Sequence, residues 1–257
     1  MLQKARSLIG RLSLVSILLL LTNCAKQENK EKMELEELKK HAFNALDKKK
    51  HEEAIDTLEH VITRYADHPD ISKFKLLLAD TYFKEGKFPQ ATKLYGHFVQ
   101  YYPSDEKAEY AHYKAILSQF YQTLRVDCDQ STTATTIGLC EGYTKVQTNK
   151  QYLKDVLDIQ NTCEHKLIDK EIYVFNFYLK EGNYNAATSR LASIRKLYAE
   201  KKPALEPRLL YLECKLAKHQ NKDDVVEKNI QTLYDKFPHS QFTQMTKALI
   251  QKREFVI

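Results

Sequence analysis

Glycine and proline are scarce in this 257-residue chain, with six of each, and the scarcity narrows what the chain can be. All-β folds need turn residues at short intervals, and no segment here alternates apolar and polar side chains with period two, so strands are not expected. A phosphate-cradling loop needs clustered glycines, and there is no such cluster. The nine histidines never form a His-Glu-x-x-His arrangement. Cys163, Glu164 and His165 are consecutive and cannot share one helix face, so no metal centre is expected. Gly138-Leu139-Cys140-Glu141-Gly142 has the outline of a nucleophile elbow with Cys for Ser. An elbow requires a strand–turn–helix context, whereas Cys140 falls in a helical core slot. Neither a cofactor nor an enzymatic activity is expected. The lysines are scattered among Glu and Asp with no arginine-rich groove, which argues against nucleic-acid binding.

Long apolar runs are also missing, apart from residues 12–21. Ten helical residues span about half of a ~30 Å hydrocarbon core, too short for a stable transmembrane helix. Preceded by Lys4, Arg6 and Arg11, the run has the layout of a secretory signal. Leu21-Thr22-Asn23-Cys24 resembles the lipobox of bacterial lipoproteins, with Asn23 where Gly or Ala is usual. The resemblance implies cleavage before Cys24, which would carry a thioether-linked diacylglyceryl group and an amide-linked acyl chain such as palmitate. Several chains together anchor stably where one does not. An ordinary cleaved signal with Cys24 incidental is the alternative. The expected organisation is a signal peptide over 1–23, a lipid anchor and polar tether over 24–33, and a scaffold over 34–257. Removing 1–23 takes away three positive charges and lowers the net charge from +6 to +3, so the basic balance is partly a targeting effect.

What is present is a repeat. Tyr82-Phe83-Lys84-Glu85-Gly86-Lys87-Phe88-Pro89-Gln90-Ala91 recurs as Tyr178-Leu179-Lys180-Glu181-Gly182-Asn183-Tyr184-Asn185-Ala186-Ala187. Both copies spell Tyr-x-Lys-Glu-Gly-x-aromatic-x-x-Ala. That pattern predicts a helix–turn–helix. Tyr packs inward at the end of the first helix, Gly takes the left-handed C′ position, and Ala lets the helix axes approach. From each such small residue, apolar side chains should follow at offsets of four, seven and eleven. Ala54 gives Leu58, Val61 and Tyr65, and Ala91 gives Tyr95, Phe98 and Tyr102. Ala187 gives Leu191, Ile194 and Tyr198, and Val226 gives Ile230, Leu233 and Phe237. Thr136 heads a weaker unit with Cys140, Tyr143 and Gln147. The anchors lie 37, 45, 51 and 39 residues apart, so units three and four carry longer helices or loops. The expected fold is all-α, a tetratricopeptide-like α-solenoid of about five helix–turn–helix repeats.

Four cysteines follow Cys24. An oxidising envelope compartment favours pairing, and Cys128 with Cys140 closes the easiest loop. Buried free thiols acting as small apolar fillers are the alternative, and Cys140 and Cys214 occupy slots where the repeat wants a small inward residue.

In a solenoid of this kind the first helix of each pair lines the inner face. The register places Lys39 and Phe43 there in unit one. Lys73, Leu76, Asp80, Phe83 and Lys84 follow in unit two, and His112 and Ile116 in unit three, as exposed candidates for binding.

A lipobox-like N-terminus ahead of five such repeats resembles the BamD family of outer-membrane β-barrel assembly lipoproteins over roughly residues 36–242. The segments that carry the resemblance are Tyr102-Pro103-Ser104, Tyr110-Ala111-His112-Tyr113, Asp127-Cys128-Asp129-Gln130 and Asn149-Lys150-Gln151-Tyr152. Departures are Asn23, the extra cysteines, and Thr148 where the family has Pro. The resemblance implies a lipid-anchored protein on the periplasmic face of the outer membrane. Its implied partners are the barrel insertase, accessory lipoproteins and unfolded outer-membrane proteins. The candidate positions then suit an extended peptide ending in an aromatic and a carboxylate, with apolar pockets for the ring and lysines for the charge. Lysines that merely solvate an empty face are the alternative. The rival functions are a general envelope repeat lipoprotein organising peptidoglycan or division machinery, and an adaptor for secretion machinery.

Overall fold

An apolar stripe at offsets of four and seven along a helix must be covered by another helix, and two short helices joined by a tight turn do this with little loop. The computed structural model describes residues 33–146 and 150–251, and among them there are eleven α-helices and no strand. These are α1 (Leu35–Asp47), α2 (His51–Arg64), α3 (Ile71–Lys84), α4 (Phe88–Tyr101), α5 (Ala108–Phe120), α6 (Ser131–Lys145), α7 (Leu153–Lys180), α8 (Tyr184–Ile194), α9 (Glu206–His219), α10 (Asp223–Lys236) and α11 (Gln241–Gln251). The first ten pair in sequence as expected. The protein is an all-α, tetratricopeptide-like repeat scaffold. The eleventh helix was not anticipated; it buries Thr243 and Thr246.

The register holds where it can be checked. Ala54, Ala91, Thr136 and Ala187 are fully buried and Val226 nearly so. Leu58, Val61, Tyr95, Phe98, Cys140, Tyr143, Leu191, Ile194 and Leu233 are buried at the next two offsets, while Ile230 is half-buried. Tyr65, Tyr102, Tyr198 and Phe237 close their units half-buried. Gln147 lies outside the described residues.

Four of the five intra-pair turns have one hydrogen-bond pattern. The amides of Lys50, Lys87, Asn183 and Lys222 donate to the carbonyls of Ala45, Tyr82, Tyr178 and Ala217, at 2.8, 2.9, 2.9 and 2.9 Å. The residue before each is left-handed: Lys49 at φ 54°, Gly86 at 70°, Gly182 at 72° and Asn221 at 56°. This is the Schellman closure, which satisfies carbonyls a helix end would otherwise orphan. The third pair lacks it. Its longer connection is held by Gln130 Nε2 donating to Arg125 O at 2.7 Å, and by Asp129, which accepts from the Ser131 amide at 3.0 Å to start α6. The extra length expected of unit four resides in α7, which runs for 28 residues.

The described residues divide into two compact units, one running up to residue 122 and including those of 139–157, the other comprising 123–138 and those from 158 onward. The first has a continuous core that includes Leu38, Leu58, Phe74, Ala91, Tyr95 and Phe98. The second is built on Ile168, Phe175, Leu191, Ile194, Leu209 and Leu212. There Arg195 is held by Glu206 at 2.9 Å and Glu213 at 2.7 Å. The expected Cys128–Cys140 bond is absent: no disulfide links the cysteines of the described residues. Cys140 is fully buried in the core while Cys128 is exposed, so the small-filler role describes Cys140, Cys163 and Cys214.

Candidate functional site

The first unit carries a groove along α3, roofed by the loop from α4 to α5. α3 presents Lys73, Leu76 and Asp80 at three- and four-residue spacing, which puts them on one face. The loop begins where Pro103 prevents α4 from continuing, and it brings Asp105, Glu106 and Lys107 over that face. One part of the groove, about 510 Å³, is lined by Phe43, Lys73, Leu76, Asp80 and the buried edge of Phe98. An adjoining part of about 560 Å³ shares Leu76, Asp80 and the loop, and adds Tyr110 and Tyr152.

Asp80 sits where the two parts meet. Its Oδ1 accepts from the Tyr95 hydroxyl at 2.5 Å and the Tyr110 hydroxyl at 2.8 Å. Burial, and then the hydrogen bond to Asp80, pushes both phenols well above their ordinary pKa, so both stay protonated donors and Asp80 stays the acceptor. Tyr152 is fixed from two sides. Its ring stacks on Tyr113 at 4.5 Å with planes 1° apart, and its amide donates to the Tyr143 hydroxyl at 3.2 Å. Tyr143 in turn donates to Glu109 at 2.5 Å. Burial and that bond raise the Tyr143 phenol to about 12.

Of the residues expected to bind, Phe43, Lys73, Leu76 and Asp80 converge on this groove. The others are placed elsewhere. Lys39 pairs with Glu36 at 2.7 Å and lies over the Phe74 ring at 5.6 Å. Phe83 belongs to an aromatic cluster with Phe88 and Tyr121, and Lys114 Nζ sits 3.1 Å from its ring centre. Lys84 is exposed at the C-terminal end of α3. His112 is half-buried edge-on to Tyr143 at 5.3 Å. Ile116 corrects the sequence expectation: it has no exposed surface and serves the core, because α5 is covered on the face taken to be open. Lys73, expected to wait for a ligand carboxylate, already pairs with Asp70 at 2.7 Å. Cys24 lies outside the described residues.

Sequence reasoning missed Phe98, Asp105, Glu106, Lys107 and Glu109 as lining. The signal available was Pro103, which ends α4 and so forces the next residues across the mouth of the pair.

This fold defines a tetratricopeptide-type repeat protein with a groove along α3 of its first unit. Residues 31–225 match the model of the family described as YfiO, outer membrane lipoprotein, and the chain belongs to that family. It is 27% identical over 150 residues to the outer membrane protein assembly factor BamD of Rickettsia prowazekii, covering 58% of this chain and 59% of that one. To the BamD of Caulobacter vibrioides it is 24% identical over 150 residues, 58% of this chain and 49% of that one. The matched stretch thus spans about half to three-fifths of the length of these curated relatives. Among solved structures, the crystal structure of a TPR domain overlays with a TM-score of 0.42 at 14% identity, covering 91% of this chain and 69% of that one.

Proposed function

We propose that the chain is an outer-membrane protein assembly and insertion factor, a non-catalytic, lipid-anchored scaffold on the periplasmic face of the outer membrane. In this reading residues 1–23 are a lipoprotein signal, Cys24 carries the acyl chains, 25–33 form the tether, and the repeats hold the barrel insertase, accessory lipoproteins and unfolded barrel-protein segments. One observation supports it above the rest: a member of the outer-membrane lipoprotein family carries an apolar-floored groove of about 510 Å³. Phe43 is half exposed there, at 52%, which is the kind of apolar side chain a partner covers. Phe43, Lys73, Leu76 and Asp80 form the contact surface in this reading, flanked by Lys39, Phe83, Lys84 and His112.

Affinity purification of the full-length chain from detergent-solubilised envelopes tests the proposal. Recovery of a β-barrel insertase and outer-membrane barrel proteins is the expected result. Recovery of peptidoglycan-synthesising or division enzymes without any insertase overturns it.

A further inference from the structure

The groove's charge is opposite to what a carboxylate-terminated ligand needs. Four carboxylates line it: Asp80, Asp105, Glu106 and Glu109. Two lysines, Lys73 and Lys107, line it as well, and each lies near a carboxylate. Lys73 is taken by Asp70, and Lys107 lies 3.9 Å from Glu106. Asp105 spends Oδ1 on the Lys107 amide at 2.8 Å, Glu109 spends Oε1 on Tyr143, and Asp80 spends Oδ1 on two tyrosines. In each case the second carboxylate oxygen has no hydrogen-bond partner among the described residues. A chain with formal charge +6 therefore carries a net acidic groove.

The walls have the same preference. Tyr110 and Tyr152 stand with ring centres 6.4 Å apart beside these carboxylates, and tyrosine faces attract cations. Leu76 and Phe43 supply the apolar floor. A guanidinium can bond two carboxylate oxygens at once and also lie on a ring.

We infer that the groove takes a partner segment in which an aromatic or aliphatic side chain neighbours arginine or lysine, and that it rejects an acidic or carboxylate-terminated one. This rests on the reading of the groove as a segment-binding surface, and it assigns the chemistry of what is bound. The bulky side chain settles on Phe43 and Leu76. The adjacent cation meets Asp80, Asp105 and Glu106 against the tyrosine faces. An anionic segment brought into the same space meets four carboxylates and only two lining lysines, each of which already has a carboxylate nearby.

The test uses the full-length chain in detergent and two fluorescein-labelled, amidated octapeptides, one with phenylalanines flanked by arginines, the other with glutamates replacing the arginines. Fluorescence anisotropy should show the arginine peptide binding at least about tenfold more tightly. Asp105→Asn with Glu106→Gln, both on the α4–α5 loop, should erase that preference without moving the thermal melt. Phe43→Ser should weaken both peptides alike. Equal or tighter binding of the glutamate peptide overturns the inference, as does an arginine preference that survives in the double variant. If the preference is missing while the pull-down still returns barrel proteins, the charge assignment alone fails. If the pull-down fails too, the assembly reading falls with it.

Discussion

Lys49 occupies in the first helix pair the turn position that Gly86 occupies in the second. Both are left-handed, at φ 54° and 70°, and both are followed by an amide that closes back on the preceding helix. Left-handed backbone costs a residue with Cβ roughly 1–2 kcal/mol, while glycine visits it freely. Lys49→Gly should therefore stabilise the chain by about 0.5–1 kcal/mol after the greater freedom of glycine in the unfolded chain is counted. Gly86→Ala should destabilise it by about 1 kcal/mol. The added Cβ would meet only Phe88 Cε2 at 4.0 Å, an ordinary contact, so the cost is conformational. Chemical denaturation of the two variants measures both signs, and a Lys49→Gly variant less stable than wild type contradicts the account.

Ala187 is fully buried and heads α8 in the small slot of the repeat. Ala187→Leu has nowhere to put three further carbons and should cost roughly 1–3 kcal/mol through overpacking. Ala187→Ser, which changes little volume, should cost less. A thermal melt unmoved by the leucine variant would show that the slot is not a close crossing.

The helix pairs were legible because their signal is local and periodic: a small residue, then apolar side chains at fixed offsets, then a turn residue. Even the non-glycine turns at Lys49 and Asn221 follow the same closure, although no glycine announced them. The groove was half legible. Phe43, Lys73, Leu76 and Asp80 followed from helical phase on α1 and α3. The acidic loop did not, because loop residues carry no phase, and its position depends on how α4 ends. Ile116 failed for a related reason. Phase tells which residues share a face, but only packing tells whether a face is covered, and α5 has little surface left. The lysine pairings, such as Lys73 with Asp70, were not legible either, because each partner is settled by rotamer and geometry.

Thiol chemistry separates the cysteines. Burial pushes the Cys163 and Cys214 thiols up to about 11, and Cys140 is fully buried, so none of the three offers an accessible thiolate near neutral pH. Cys128 is exposed and free. In the Cys24→Ala protein, Ellman titration should find one reactive thiol in the native state and four after denaturation without reductant. Two titratable thiols after denaturation would reveal a disulfide and contradict the structure.

Lipid attachment at Cys24 follows from the short apolar run that ends at a cysteine. Cys24→Ala should leave the precursor unprocessed or release the protein to the soluble periplasmic fraction, since the remaining 25–33 segment is polar. Intact-mass analysis of the mature protein provides the decisive number. A cleaved N-terminus with no acyl addition ends the lipoprotein assignment.

His112 makes stability depend on pH in a defined window. Burial holds its imidazole below the ordinary 6.5, so as pH falls through that value the unfolded chain takes the proton before the folded chain does. Its contribution is intact above the unfolded pKa and is lost as pH falls towards the lower folded one. The lysine partner of Asp70, the Ser131 backbone at Asp129 and Lys202 beside Glu164 are among the contacts of carboxyls whose pKa is lowered. Those groups lose their contribution only at more acidic pH, so the two windows are separable. The denaturation midpoint should therefore drop between about pH 7.5 and about pH 5, near the ordinary histidine range. His112→Phe preserves an aromatic ring edge-on to Tyr143 and has no proton to take up, so its midpoint should be flatter over the same interval. An unchanged pH slope in His112→Phe would assign the dependence to another group and remove His112 from the account.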